Sequence, residues 1–337
     1  MKMNTITTVR MHRRAFAMTA AGAALLGGVR RACAAERLQV ALDWYPNSNH
    51  AGLFLAEANG WYDEAGLDVV LTTPADPTTV LQTVAAGRDD LGISYQTDVL
   101  LARAAGVPVV SVAAISQVPL VGIMTLAEAG IATPADLKGK VVAYPGIPSQ
   151  EAFLDTMLAH DGLTRDDIEL VNVGFDLLPA LVSGKAAGAL GAFSTHEPIV
   201  AEREGYPTAM LKVEEFGVPP YYELVLVASE DAVSEKADAI RTFLEVTRRG
   251  YEAAAADPAA ALAALQAASP EMDAAVEAVG ITLVVPTWTD GEVTFGTQTA
   301  ERWDAYGTWM KERELIPEDL VIADAWTDAL LPEEPAS

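Results

Sequence analysis

Trp44-Tyr45-Pro46-Asn47-Ser48-Asn49-His50 puts two aromatic rings, two amides and an imidazole within seven residues. A ring stacked on a planar heterocycle contributes about 1 kcal/mol beyond area burial, and amides and imidazole can read the heterocycle's hydrogen-bonding edge. Further rings stand at Tyr95, Phe193, Tyr221 and Tyr222. Glu197, in Ser194-Thr195-His196-Glu197-Pro198, is a carboxylate that can accept the exocyclic amine of an aminopyrimidine while a neighbouring donor reads a ring nitrogen. Ser149 lies at a predicted helix start, where backbone N–H groups and a hydroxyl bind a polar or anionic substituent. Glu223 follows the tyrosine pair and either reaches a cleft or only begins a strand.

Each of these residues also has a plainer use. Any one aromatic can belong to the core, Asn47 and Asn49 serve equally well as helix caps, and Ser149 equally well as an ordinary N-cap. Glu197 in a first helical turn matches the helix dipole. A lone histidine such as His50 is usually a satisfied buried polar group. The four histidines, His12, His50, His160 and His196, have no H-E-x-x-H or paired spacing, so neither a metal nor another cofactor is expected. No G-x-x-x-x-G-K-[ST], G-x-G-x-x-G or G-x-S-x-G motif occurs.

Strand-like runs recur at Leu38 to Leu42, Val69 to Thr72, Leu91 to Tyr95 and Val109 to Ala114, between helical patterns that stop at Gly60, Gly87 and Gly106. A second set follows at Val141 to Tyr144, Glu169 to Val173 and Gly188 to Phe193. The alternation predicts an α/β fold of mostly parallel sheets with helices on both faces. In open sheets of that kind, ligands sit outside the carboxyl ends of the strands, where the aromatic residues fall. Leu224 to Ala228 returns to a strand, and mainly helix follows. Helices are predicted from about Val233 to Ala256, with Ile240, Phe243, Leu244, Thr247 and Tyr251 on one core-facing stripe, then at Pro270 to Val279 and Thr297 to Glu314.

The first 34 residues hold six Lys and Arg, no acid, and an uncharged small-residue stretch from Ala15 to Val29, the composition of an export signal. Arg13-Arg14 resembles a twin-arginine element, with Sec as the other route, and Ala32-Cys33-Ala34 offers a cleavage site. The expected location is the periplasm. Cys33 is the only cysteine, and Arg30-Arg31-Ala32 is a poor approach for lipidation, so the mature chain is expected to lack disulfides and thiol chemistry. Without the leader, 16 basic residues face 47 acids, a balance of −31 that repels nucleic acid and anionic membranes. A mature length near 300 residues exceeds what one core usually supports, so two lobes are expected.

The segment from Leu42 to Leu71, with Gly92-Ile93-Ser94-Tyr95, Pro145 to Ala152 and Gly217 to Leu226, resembles the periplasmic-binding-protein family. That family includes the thiamine-pyrimidine-precursor (ThiY-type) receptors of bacterial ABC transporters and the related fungal thiamine-pyrimidine synthases. The resemblance implies a two-lobed type II periplasmic-binding fold, with residues 35–121 and 228–337 in lobe one and 122–227 in lobe two. Crossovers near Leu120 to Met124 and Leu224 to Ser229 would form the hinge. It also implies that Trp44 and Tyr222 are ligand contacts, that His50 aligns with an active-site histidine of the synthases, and that Glu197 matches an acidic residue of the receptors. Pro220 departs from the acidic or small residue often found there.

The candidate ligand-binding set is therefore Trp44, Asn47, His50, Tyr95, Ser149, Glu197, Tyr222 and Glu223. The expected function is capture of a hydroxymethylpyrimidine or formylaminopyrimidine by a monomeric, non-enzymatic receptor that delivers it to an ABC permease. A flavin such as riboflavin, or another heterocycle, is the alternative ligand. A pyrimidine synthase is the alternative class, but the synthases carry a cysteine-rich motif where this chain reads Gly217-Val218-Pro219-Pro220-Tyr221-Tyr222.

Overall fold

Two five-stranded sheets organise the chain in a computed structural model that describes residues 35–289 and 293–332. The export-signal and Cys33 readings fall on residues outside that range. The first sheet has the order β2-β1-β3-β10-β4, from β1 Glu36–Ala41, β2 Leu67–Thr72, β3 Leu91–Ser94, β4 Val109–Ala114 and β10 Val225–Ser229. The second has the order β7-β6-β8-β5-β9, from β5 Val121–Leu126, β6 Val141–Tyr144, β7 Glu169–Asn172, β8 Gly188–Phe193 and β9 Thr208–Lys212. The fold is a two-lobed α/β fold with one sheet at the centre of each lobe.

Each sheet contains one strand that runs against its neighbours. β10 pairs antiparallel with β3 and β4, for example Ile93 opposite Leu226, and β5 pairs antiparallel with β8 and β9. The remaining pairs are parallel, as the β-α-β alternation requires. The reversal has a simple origin. β5 is entered from the first sheet and β10 from the second, each by a connection that contains no α-helix, although a 3-10 turn at Val213–Phe216 precedes β10. β5 was expected only as a crossover and β9 was not expected. Val121-Gly-Ile-Met-Thr-Leu is nonetheless an apolar run suited to a buried strand, whereas β9 is a short edge strand with little pattern to read.

Helices α1 Ala51–Ala58, α2 Trp61–Glu64, α3 Val80–Ala85 and α4 Gln96–Ala104 belong with the first sheet, and α5 Pro148–His160, α6 Leu177–Val182 and α7 Glu197–Arg203 with the second. After β10 come α8 Glu230–Glu235, α9 Ala237–Ala256, α10 Pro258–Ala268, α11 Ala274–Val284 and α12 Ala300–Glu312. The predicted stripe on α9 is buried as read. α9 lies so close on α1 that a Cβ on Gly250 would come within 2.2 Å of the Gly52 carbonyl oxygen. The expected Pro270 to Val279 helix starts later and runs further, because Asp273 caps it by accepting from the N–H groups of Ala275 and Val276.

Candidate functional site

The carboxyl ends of β1 and β3 build one wall of a cavity between the lobes. β1 runs straight into Asp43 and Trp44, and β3 into Tyr95. Asp43 is buried, and both of its oxygens are held: Oδ1 lies 2.9 Å from His50 Nε2 and Oδ2 accepts from the Tyr95 hydroxyl at 3.0 Å. His50 Nδ1 accepts from the Asn47 N–H at 3.2 Å, which leaves Nε2 to donate to Asp43. Asn47 Oδ1 in turn caps the Asn49 N–H at 2.9 Å. The polar turn is thus a closed hydrogen-bond circuit inside one lobe, and it aims Asp43 and the amides of Asn47 and Asn49 at the cavity.

The other wall comes from the carboxyl ends of β6 and β8. Pro145, Ile147 and Gln150 lead into α5, and Gly191, Phe193, His196 and Glu197 lead into α7. Gly191 has φ +99°, and a Cβ there would meet the Gln150 amide at 2.6 Å, so glycine is required for Gln150 to lie where it does. Glu197 Oε2 accepts from the Phe193 N–H at 2.7 Å. The space left inside the cavity is about 20 Å³, room for about one water molecule. The side-chain oxygens of Asn49 and Gln150, both buried, have no hydrogen-bond partner among the described residues. With Asp43 and Glu197 they make a site rich in acceptors between the rings of Trp44, Tyr95 and Phe193.

Side chains also tie the lobes together around this cavity. His196 Nδ1 lies 3.3 Å from Glu197 Oε1, and its Nε2 lies 3.0 Å from Oε1 of Glu277 on α11. Burial alone would lower the imidazole, but the two carboxylates outweigh it and raise its pKa to about 10, so both ring nitrogens donate. Glu277 Oε2 also accepts from the Ser48 N–H at 2.6 Å. Arg203 and Asp273 pair at 2.8 Å on the surface beyond. On another side, Phe175 of the second lobe packs on Trp44 and Tyr45 with ring centroids 4.3 and 4.4 Å apart.

Of the eight candidate residues, Trp44, Asn47, Tyr95 and Glu197 line the cavity. The other four stand behind its wall. His50 is fully buried and holds Asp43. Ser149 donates its N–H and its hydroxyl to Asp98 of the first lobe, each at 2.9 Å. Tyr222 is turned into the body of the first lobe, where its hydroxyl accepts from the Thr299 N–H and the Arg302 guanidinium lies over its ring. Glu223 joins the two crossings: its Oε2 accepts from the N–H groups of Leu120 and Val121 and from the Tyr221 hydroxyl. Burial raises the Glu223 carboxyl to about 7 against these bonds.

Sequence reasoning passed over Asp43, Gln150, Phe175 and Glu277. Asp43 directly precedes Trp44, and Gln150 follows Ser149, so both were within reach of the motifs. Glu277 had a signal too, as a single acid in the apolar run Ala274 to Val285. Phe175 sits in a loop with no pattern to mark it.

A two-lobed α/β protein with a cavity between the lobes, at the strand ends of both sheets, has the architecture of the periplasmic binding proteins. Solved structures agree: the alkanesulfonate-binding protein SsuA of Xanthomonas axonopodis pv. citri, bound to MOPS, superposes with a TM-score of 0.69 at 18% identity over 86% of this chain and 98% of its own. Residues 47–261 match the NMT1/THI5 like family, and the chain belongs to it. It is 37% identical over 298 residues to the formylaminopyrimidine-binding protein of Halalkalibacterium halodurans, covering 87% of this chain and 90% of that one. It is also 24% identical over 305 residues to a 4-amino-5-hydroxymethyl-2-methylpyrimidine phosphate synthase of Legionella pneumophila, covering 90% and 94%.

Among the described residues, no helix is long and apolar enough to cross a membrane, and no cluster of three or more His, Cys, Asp or Glu is arranged to hold a metal ion.

Proposed function

We propose that the protein is the substrate-binding component of an ABC importer and captures a thiamine-related aminopyrimidine, of the formylaminopyrimidine or hydroxymethylpyrimidine type, between its lobes. The observation that carries this reading is the acceptor-rich slot. Asp43, Glu197 and the unpartnered oxygens of Asn49 and Gln150 surround a space walled by Trp44, Tyr95 and Phe193. A planar ring bearing amine and amide N–H donors satisfies such a site, whereas unpartnered buried acceptors cost about 1 to 3 kcal/mol each. The relative at 37% identity binds a molecule of that description by its name.

In this reading the protein is exported by its N-terminal signal and works as a periplasmic monomer that hands its ligand to a permease. Residues 35–121 and 228–337 close on 122–227 about the two crossings, and no covalent step occurs. The synthase relatives keep the enzyme alternative in view, and the test therefore includes turnover.

Native mass spectrometry of protein from its producer, followed by calorimetric titration with formylaminopyrimidine, hydroxymethylpyrimidine and riboflavin, tests the proposal. One of the pyrimidines is expected to bind unchanged. Heat from riboflavin alone, or chemical conversion of a bound species, would overturn it.

A further inference from the structure

The charges around the cavity do not balance. Asp43 enters it from beyond the end of β1 and Glu197 from the start of α7. The donors that hold Asp43 are neutral: Tyr95 offers its hydroxyl, and His50, whose Nδ1 accepts from the Asn47 N–H, carries its single proton on Nε2. Glu197 shares the His196 imidazolium with Glu277, so there one cation stands against two carboxylates. Among the described residues, no Lys or Arg lines the cavity. Asp43, Glu197 and Glu277 are thus met by one positive charge.

The other wall groups favour the same sign of ligand. Asn49 and Gln150, 2% and 4% exposed, line the cavity from opposite lobes, and their side-chain oxygens have no partner among the described residues. Between them stand the rings of Trp44, Tyr95 and Phe193, whose faces attract cations. With room for about one water molecule, the cavity keeps no hydration shell around a ligand, so the wall itself must answer the ligand's charge. A neutral ligand leaves the excess carboxylates desolvated and unanswered, and an anion adds to them. A planar cation answers both the carboxylates and the open oxygens.

We infer that the site selects a planar cation, and that its aminopyrimidine is bound as the pyrimidinium, with one proton taken from solvent onto a ring nitrogen and the charge held by Asp43 and Glu197. For the pyrimidine this rests on the function proposed above; the preference for a planar cation does not. Protonation falls on the ring and not on the exocyclic amine, because the amine's lone pair is delocalised into the ring, and the product is an amidinium-like group that donates along its edge. Asp43, Tyr95, His196 and Glu197 face that ring, with His50 and Glu277 behind them. A carboxylate-lined site raises the pKa of the bound ring, so affinity is full below the free ligand's pKa and falls about tenfold for each pH unit above it until the bound ring loses its proton.

The test uses the full chain in two arms. In the first, hydroxymethylpyrimidine carrying the heavy nitrogen isotope in its ring is followed by NMR at a pH above its free pKa, alongside calorimetric titration at several pH values. The ring nitrogen of the bound ligand is expected at the position of the protonated ring, while the free ligand shows the neutral one. In the second, melting temperatures are compared with benzamidinium and with benzamide, which share a shape and differ in charge. Benzamidinium should stabilise the chain and benzamide should not, and Glu197→Gln, which keeps its bond to the Phe193 N–H, should weaken benzamidinium about tenfold. A neutral ring in the complex, or affinity unchanged across the free ligand's pKa, overturns the inference for the pyrimidine. If no pyrimidine binds, the proposed function falls and the second arm decides by itself: equal stabilisation by benzamidinium and benzamide, or by neither, overturns the preference for a cation.

Discussion

Asp43 and Glu197 enter the same cavity from opposite lobes, and each has a histidine beside it, yet they are held in different ways. Asp43 is fixed by His50 and Tyr95, both in its own lobe and all three buried. Glu197 is held by its own backbone through the Phe193 N–H, and its histidine bonds onward to Glu277 in the other lobe. The first arrangement is complete whether the lobes are apart or together. The second is complete only when they meet. In the function proposed above, one half of the site would thus be preorganised and the other completed when the lobes close on a ligand.

The strongest challenge to this contrast is Asp43→Ala. It leaves His50 Nε2 and the Tyr95 hydroxyl without their buried acceptor, at about 1 to 3 kcal/mol each, so ligand-free unfolding in urea should show a loss of roughly 2 to 6 kcal/mol. Unchanged stability would mean that the circuit does not hold the wall.

Glu197→Gln should behave in the opposite way. Its amide oxygen can still accept from the Phe193 N–H, so the ligand-free melt stays near that of the parent, while affinity for an aminopyrimidine drops by about 1.5 to 3 kcal/mol by calorimetry. A flavin presents no amidine-like edge and would lose far less. A variant that binds the pyrimidine as tightly as the parent returns Glu197 to a dipole role.

His196 should act through closure. Its pKa is raised from the ordinary 6.5 to about 10, in part by Glu277 of the other lobe, so in the proposed closure bringing the lobes together would tighten proton binding. The stabilisation is therefore complete below about pH 6.5 and is lost as pH rises through about 10. Glu197 and Glu277 face the ring, and Tyr45, Arg203, Glu204, Glu271 and Asp273 share the groove beside it. Affinity should weaken across that window, and His196→Gln should lose about 1 kcal/mol at neutral pH and flatten the profile. A variant with the parent's pH dependence would assign the slope to another group.

The smallest effect is expected at Arg203–Asp273, where both side chains are about half exposed. Arg203→Gln should cost about 0.2 to 1 kcal/mol of affinity in low salt and nothing in high salt, because such pairs are screened. A larger loss that persists in salt would make the rim, and not His196, the main tie between the lobes.

The strands that carry the site could be read from the chain because their runs are apolar and bounded by glycine, and the site residues lie just past their ends. Trp44, Asn47, Tyr95 and Glu197 reach the cavity for that reason. The sequence by itself therefore determined the two-lobed α/β class, the strand-end location and the aromatic and acidic character of the site. It did not determine which way a side chain beside such a strand end would turn. Tyr222 and Glu223 follow one another, yet Tyr222 packs against α12 and Glu223 clasps the crossings.

Only the tertiary structure brought Glu277 to His196, 81 residues apart, and Asp98 to Ser149, 51 apart. No local pattern encodes such pairs, since each depends on how two lobes meet. Burial then changes their chemistry: it raises Asp98 to about 7, and at His196 it is outweighed by carboxylates from both lobes. Residue type and periodicity report what a segment can bury, whereas charge state and partner are properties of the packed space around it.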